Sequence, residues 1–234
     1  MPKLKIPYKI RIMFETGNTL IMWLPFIFKD PRRLRFIPQW ISSFLPGKAA
    51  FKDGTVWMPF EAREWLESFL KKNMNAFEWG SGGSTLFIAQ RVKNLVSIEH
   101  NPDWYVKIGQ LLKEKGFSNC RYFLKEPQAG GTDYFSSSKY YRGFSFEEYC
   151  KIIDSYPDNY FDLVLVDGRA RTFCISHALK KIRPRGYLLL DDSDNTGYAP
   201  GKELLKDWER KNFFGPKPYV INFYHTTLWQ KPVL

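Results

Sequence analysis

Cysteine and histidine are scarce in this chain, three of each in 234 residues. Cys120, Cys150 and Cys174 stand far apart, with no Cys-x-x-Cys and no neighbouring histidine pair, which removes the usual zinc frameworks. They read as reduced, buried thiols of a cytoplasmic protein. Long apolar runs are also missing. The longest candidate, "TLIMWLPFIF" at 19–28, falls short of the ~20 residues that a spanning helix needs and is interrupted by Pro25. The small-residue cleavage site of a signal peptide is not seen either, so neither a spanning helix nor a secretory leader is expected. Repeats and low-complexity tracts are absent, and ordinary apolar content with abundant aromatics argues against disorder.

Acidic residues are outnumbered, 24 against 35 basic ones, for a net charge of +11. The excess is uneven. Residues 1–50 hold nine basic side chains against Glu15 and Asp30, so +7 of the total lies there and +4 in the rest. Such charge can serve nucleic acid, an acidic membrane surface or an anionic substrate, and its place in the chain decides among them.

From about residue 55 the text alternates between short apolar runs and helix-like pieces. The runs are "NAFEW", "NLVSIEH", "CRYFLKE", "FDLVLVDG" and "GYLLLDD"; helices are expected at 84–93, 103–115, 145–154 and 171–182. Alternation of this kind predicts a Rossmann-like, doubly wound α/β sheet, mostly parallel, with helices on both faces. "PFEAREWLESFLKKN" reads as a helix before the first strand and "GKELLKDWERKN" as one after the fifth. "PYVINFYHTTLWQKP" reads as two extended pieces closing the sheet. The irregular stretch 126–143 is long enough to be a lid or binding loop.

One stretch raises the question of a ligand: "NAFEWGSGGSTLFIAQRV", residues 75–92, sets Glu78, Gly80, Gly82 and Gly83 between a strand and a helix. Glycine there lets backbone approach a ligand at the carboxyl end of the strand, where such sheets bind nucleosides, and Ser81, Ser84 and Thr85 follow in the turn and helix start. Glu99, nineteen residues after Gly80, ends the second run, where a carboxylate can accept hydrogen bonds from both ribose hydroxyls; His100 lies beside it. A dinucleotide site wants a third glycine where Thr85 stands, and Glu78 would repel a pyrophosphate while suiting a cationic ligand.

With these residues the chain resembles the class I S-adenosylmethionine-dependent methyltransferases. Glu78, Gly80 and Gly82 match their acid-x-Gly-x-Gly motif, Glu99 their ribose-binding acid and Asp167, in "FDLVLVDGRAR", their fourth-strand acid. The resemblance covers about residues 55–234 as one catalytic domain. It implies a seven-stranded sheet with a reversed last hairpin and S-adenosylmethionine as cofactor. It places Glu78, Gly80, Ser81, Gly82, Ser84, Thr85, Glu99, His100 and Asp167 around that cofactor. An NAD-type oxidoreductase is the alternative.

Methyl transfer to oxygen needs a proton removed from the acceptor, by a base or by a metal that acidifies it. Candidates are Asp167, Asp191, Asp192, Asp194 and Asn195. "VDGRAR" followed by "LLLDDSDN" resembles the catechol and caffeoyl-coenzyme A O-methyltransferases, in which an Asp and an Asp-Asn pair hold a divalent ion such as Mg2+. Here Asp191-Asp192 stands where that family has Asp-Asn. These acids either hold the metal and catalyse, or merely solvate a strand end and cap the next helix. Arg169 and Arg171 could pair with a carboxylate or phosphate of the acceptor, or balance surface charge. Nucleic-acid enzymes of this fold carry Asn/Asp-Pro-Pro-aromatic after strand four. Asp167-Gly168-Arg169-Ala170 lacks it, which favours a small-molecule or glycan-type acceptor over nucleic acid.

The N-terminal segment, residues 1–54, is basic and aromatic-rich. It is read either as a peripheral membrane contact through residues 1–50, or as a helical lid or homodimer contact burying Trp23, Phe26, Phe28 and Trp40. A non-catalytic, membrane-associated cofactor-binding protein is the reading from a different class.

Overall fold

The computed structural model describes residues 18–131 and 133–233. The basic residues Lys3, Lys5, Lys9 and Arg11 lie outside the described residues. Helix α1 (Asn18–Lys29) leads through a 3-10 turn at Pro31–Arg35, capped by the Asp30 carboxylate on the Arg32 N–H, into α2 (Phe36–Ser42). A short α3 (Ala50–Asp53) ends on Gly54 in the left-handed region, and α4 (Phe60–Phe69) precedes the sheet.

Then follow β1 (Asn75–Trp79), α5 (Gly83–Ala89), β2 (Asn94–Glu99), α6 (Pro102–Glu114) and β3 (Cys120–Leu124). The stretch after β3 folds a small ladder, β4 (Gln128–Ala129) with β5 (Phe144–Ser145), around a 3-10 turn at Lys139–Tyr141. After it come α7 (Glu147–Lys151), β6 (Phe161–Val166), α8 (Arg171–Lys181), β7 (Ile182–Asp191), α9 (Ala199–Glu203), β8 (Glu209–Pro216) and β9 (Phe223–Gln230).

The main sheet has seven strands in the order β3-β2-β1-β6-β7-β9-β8; β9 runs antiparallel to both β7 and β8, and the other pairings are parallel. The alternating text predicts this Rossmann-like sheet, and the family resemblance implies its seven strands with a reversed last hairpin. Successive crossovers leave β1 in opposite directions, so the chain direction switches between β1 and β6, and a crevice opens beyond their carboxyl ends.

Side chains alternate across the strands with period two and build a core on each face. Phe77, Trp79, Val164, Val166, Leu188 and Leu190 face α7 and α8. Ala76, Leu95, Leu163, Leu165 and Leu189 face α4, α5 and α6. Glu78 belongs to the second face by this alternation, which matters below.

Two regions differ most from the sequence reading, and the helix expected at 84–93 ends earlier, at Ala89. Residues 209–212, read as the end of a helix, begin β8, and the helix there is confined to Ala199–Glu203. β8 is the edge strand, and edge strands carry charges against unwanted pairing; "ERKN" therefore looks like a solvated helix end. "PYVI", read as extended strand, is instead a turn between β8 and β9. Cys150 and Cys174 are buried, with sulfurs 3.6 Å apart, whereas Cys120 is only partly buried; all three are free thiols.

The N-terminal helices pack on the body built around the sheet. Trp23, Phe26, Phe36, Trp40 and Phe44 form an aromatic cluster with Phe60 of α4. Phe36 stacks on Phe60 at 5.3 Å, and Phe223 meets the Trp23 and Phe26 rings edge-on. Arg33 and Arg35 reach Glu61 and Glu64 of α4. Trp23, Phe26 and Trp40 are thus buried as the packing reading expects, but Phe28 is not: it is 81% exposed. Among the described residues no helix is long and apolar enough to cross a membrane.

Candidate active site

The turn after β1 is organised from beneath. Glu78 is wholly buried, and its Oε2 accepts hydrogen bonds from Thr85 Oγ1 (2.6 Å) and Ser97 Oγ (2.7 Å). Thr85 Oγ1 in turn accepts the Gly82 N–H at 2.9 Å. Glu78 and Thr85 therefore brace the glycine turn from the α5 side and do not line the cleft; Gly82 and Ser84 line a smaller adjoining cavity. Gly80 has φ +91°, and a Cβ there would lie 2.6 Å from the Asp167 carbonyl oxygen. Only glycine permits β1 and β6 to end this close together.

Burial raises the Glu78 carboxyl to about 7, against hydrogen bonds from Ser84, Ser97 and Thr85. The folded protein thus keeps a proton that the unfolded chain has already released above about 4.5. Glu78's contribution to stability is full below that value and is lost as pH rises through 7. The shift corresponds to about 3 kcal/mol by pH 8. In urea denaturation, wild type is expected to lose stability between pH 5 and pH 8 relative to Glu78→Gln; parallel pH curves would contradict the shift.

Glu99 closes β2 and is engaged by four donors. Oε2 accepts from Ser81 N (3.1 Å) and Ser81 Oγ (2.7 Å), and Oε1 from the His100 and Asn101 N–H groups, both at 2.9 Å. Burial works to raise its carboxyl, but His100, Ser81 and Asn101 outweigh burial and hold it below the usual range. A ribose hydroxyl would reach Glu99 by replacing Ser81 Oγ, which has Tyr122 OH as an alternative partner at 2.7 Å. Trp104 Nε1 fixes the same turn by donating to the Ser81 carbonyl at 2.8 Å. His100 Nε2 lies 2.9 Å from the Tyr141 hydroxyl, so the 126–143 stretch does deliver a side chain to the site.

These residues open into a cleft of about 800 Å³ at the switch point. Trp57, Gly80, Ser81, Glu99, His100, Trp104, Tyr141, Asp167, Arg169, Arg171, Asp191, Asp192, Lys217 and Tyr224 are among its lining residues. Of the sequence candidates, Asp194 and Asn195 are not. Both are exposed, and Asn195 caps a 3-10 turn by accepting the Gly197 N–H.

Asp167, Asp191 and Asp192 do converge, but with cations already among them. Arg171 Nη2 lies 3.0 Å from Asp167 Oδ1 and 4.0 Å from Asp192 Oδ2, and the same guanidinium donates to the Gly168 and Asp191 carbonyls. Lys217 Nζ lies 3.1 Å from Asp192 Oδ1 and 3.5 Å from Asp191 Oδ2, with the Tyr224 ring at 3.9 Å and the Trp57 ring at 4.9 Å. A divalent ion would have to share these carboxylates with a buried ammonium and a guanidinium. The residues present therefore do not fit it, and among the described residues no group of three or more Asp, Glu, His or Cys side chains is arranged to hold a metal.

Burial, reinforced by Asp191, raises the Asp167 carboxyl well above its usual value despite Arg171. Asp191 is raised too, by burial opposed by Lys217. Arg171 is consumed by internal contacts, whereas Arg169 stands at the rim, its guanidinium 5.3 Å from the Tyr141 ring. Trp57, Tyr141 and Lys217 escape a reading by motif. Lys217 comes from the β8–β9 turn, and its only trace in the sequence is a lone lysine between prolines in "GPKPY".

No family model matches this chain, and no curated protein matches it in sequence. Among solved structures it is similar to a putative methyltransferase from Streptococcus mutans in complex with SAH (13% identity, 75% of this chain and 99% of that one, TM-score 0.52). It is also similar to an rRNA methylase from Streptococcus thermophilus (15%, 76% and 99%, TM-score 0.54). A third is the O-methyltransferase TomG from Streptomyces achromogenes in complex with SAM (18%, 68% and 74%, TM-score 0.52). At these identities the likeness is one of fold.

Proposed function

We propose that this chain, which has the class I methyltransferase fold, is an S-adenosylmethionine-dependent enzyme that methylates a hydroxyl of a small-molecule or glycan-type acceptor. The observation that carries it is the meeting of the Gly80–Ser81 turn, Glu99 and Asp167 in one cleft at the switch point between β1 and β6. When bound, the cofactor supplies a methyl group on a cationic sulfur, open to in-line displacement by an acceptor oxygen.

The chain's own residues have distinct tasks in this reading. Glu99 and Ser81 hold the ribose, and Gly80 lets the backbone approach it. Trp57, Trp104 and Tyr141 exclude water. Asp167 takes the acceptor proton, its carboxyl made more basic than an ordinary aspartate by burial and by Asp191. Lys217 stabilises the charge growing on the acceptor oxygen, the task for which other oxygen methyltransferases can use a metal, while Arg171 holds Asp167 in place. Arg169 at the rim is the contact for an anionic group on the acceptor. Three free thiols fit a reducing, cytoplasmic setting.

Titration calorimetry of the full chain with S-adenosylmethionine, S-adenosylhomocysteine and NAD tests the assignment. The first two are expected to bind and NAD to give no detectable heat, since no third glycine opens a path for a pyrophosphate and Thr85 is buried in its place. Tight NAD binding would replace this reading with an oxidoreductase one.

A further inference from the structure

The packing that buries Trp23, Phe26 and Trp40 turns other apolar side chains outward. On α1, Ile21, Leu24 and Phe28 follow one another at helical spacing, and all are exposed. Leu34, Ile41 and Leu45 repeat the pattern along the 3-10 turn, α2 and its exit. An apolar stripe that shuns the core on two consecutive elements is costly in water unless something covers it. Lys29 and Arg32 adjoin these residues in the chain; both are exposed, Arg32 with its guanidinium also donating to the Asp30 carboxylate at 2.9 Å. Residues 1–17, which lead into α1, add Lys3, Lys5, Lys9 and Arg11 against Glu15.

Charge selects the occupant. A second copy of this chain, meeting the face across a two-fold axis, would set one basic rim against another. An anionic bilayer satisfies both features at once: apolar side chains enter the headgroup boundary while Lys and Arg meet acidic headgroups. We infer that α1 and α2 dock this protein on a membrane surface rich in anionic lipid. The stripe lies on the interface and does not span it, consistent with helix length. α2 also holds the turn that bears Lys217: Trp40 Nε1 donates to the Val220 carbonyl at 2.8 Å and Tyr219 N to Ser43 Oγ at 2.8 Å. The docking face and the cleft therefore share one rigid support.

Sedimentation of the full chain with phosphatidylcholine vesicles, with and without about a third of phosphatidylglycerol, tests the inference. Wild type is expected to pellet with the anionic vesicles, at least about tenfold more weakly with neutral ones, and less at high salt. The triple variant Ile21→Ser, Leu24→Ser, Phe28→Ser should lose at least about tenfold in binding while keeping its thermal unfolding midpoint, because all three side chains are exposed. Lys29→Glu with Arg32→Glu should weaken binding to anionic vesicles only. Equal binding by wild type and the triple variant overturns the inference. So does a wild type that stays in the supernatant with every vesicle, including the case in which sedimentation velocity shows a dimer that the triple variant dissolves.

Discussion

Replacing Lys217 by methionine is expected to destabilise the protein by about 3–5 kcal/mol, because it strands the buried Asp191 without its ammonium. Asp191 is 2% exposed and Lys217 3%, so solvent cannot take over the task. Thr226 Oγ1 would remain as a neutral donor to Asp191, too weak to hold a buried charge. The Asp191→Asn, Lys217→Met double variant should recover much of the loss, since it removes both charges together. Urea denaturation of the single and double variants measures this, and a fully stable Lys217→Met would show that the ammonium is dispensable. The pH dependence has a definite sign. Burial works to lower Lys217, but Asp191, Asp192 and Asp167 outweigh burial and raise it above its ordinary value of 10.5. Its stabilising contribution is complete below that value and is lost only as pH rises through the raised one.

Asp167→Asn is expected to cut methyl transfer by about 10²- to 10⁴-fold, the usual worth of a general base. Binding of S-adenosylhomocysteine should persist, because the variant leaves Gly80, Ser81 and Glu99 in place. Arg171 should stay anchored by the Gly168 and Asp191 carbonyls, so the fold is kept. Wild-type rate should fall as pH drops and Asp167 takes up its proton. EDTA and added magnesium should leave it unchanged, with Lys217 providing the positive charge at the cleft. Rates on a panel of hydroxylated acceptors decide both points. Unchanged turnover by Asp167→Asn would remove it from the proton path, and loss of activity in EDTA would reinstate the metal.

How far the site was legible depended on whether a residue's task follows from its place in a strand. Glu99 ends β2 and Asp167 directly follows β6, and the carboxyl ends of parallel strands near the switch point are binding positions whatever surrounds them. Glu78 shows the limit of that rule. As a motif acid it reads as a partner for a cationic ligand, yet period-two alternation turns it toward α5, where Thr85 and Ser97 take its carboxylate. Ser81, read as one of the residues around the cofactor, is also the donor to Glu99. The edge strand β8 was hidden for a different reason: its charges answer to solvent and to the need to avoid pairing, and they erase the alternation that reveals buried strands.

The sequence by itself determined the order of the parallel strands and the helices between them, the glycine turn after the first strand and the strand-end acids, because those follow from periodicity and from glycine, which are local. It also located the excess positive charge in residues 1–50. Only the tertiary structure decided what neutralises the three aspartates. Lys217 is 25 residues from Asp192 along the chain and reaches it through the β8–β9 turn, a pairing that no local pattern encodes. The same holds for Phe28 and Trp23, both apolar residues of one helix. Which of them faces the core was fixed when Phe60 and Phe223, among the described residues, offered an aromatic surface to one side of α1. Burial is a property of partners, and partners distant in sequence are chosen by the fold.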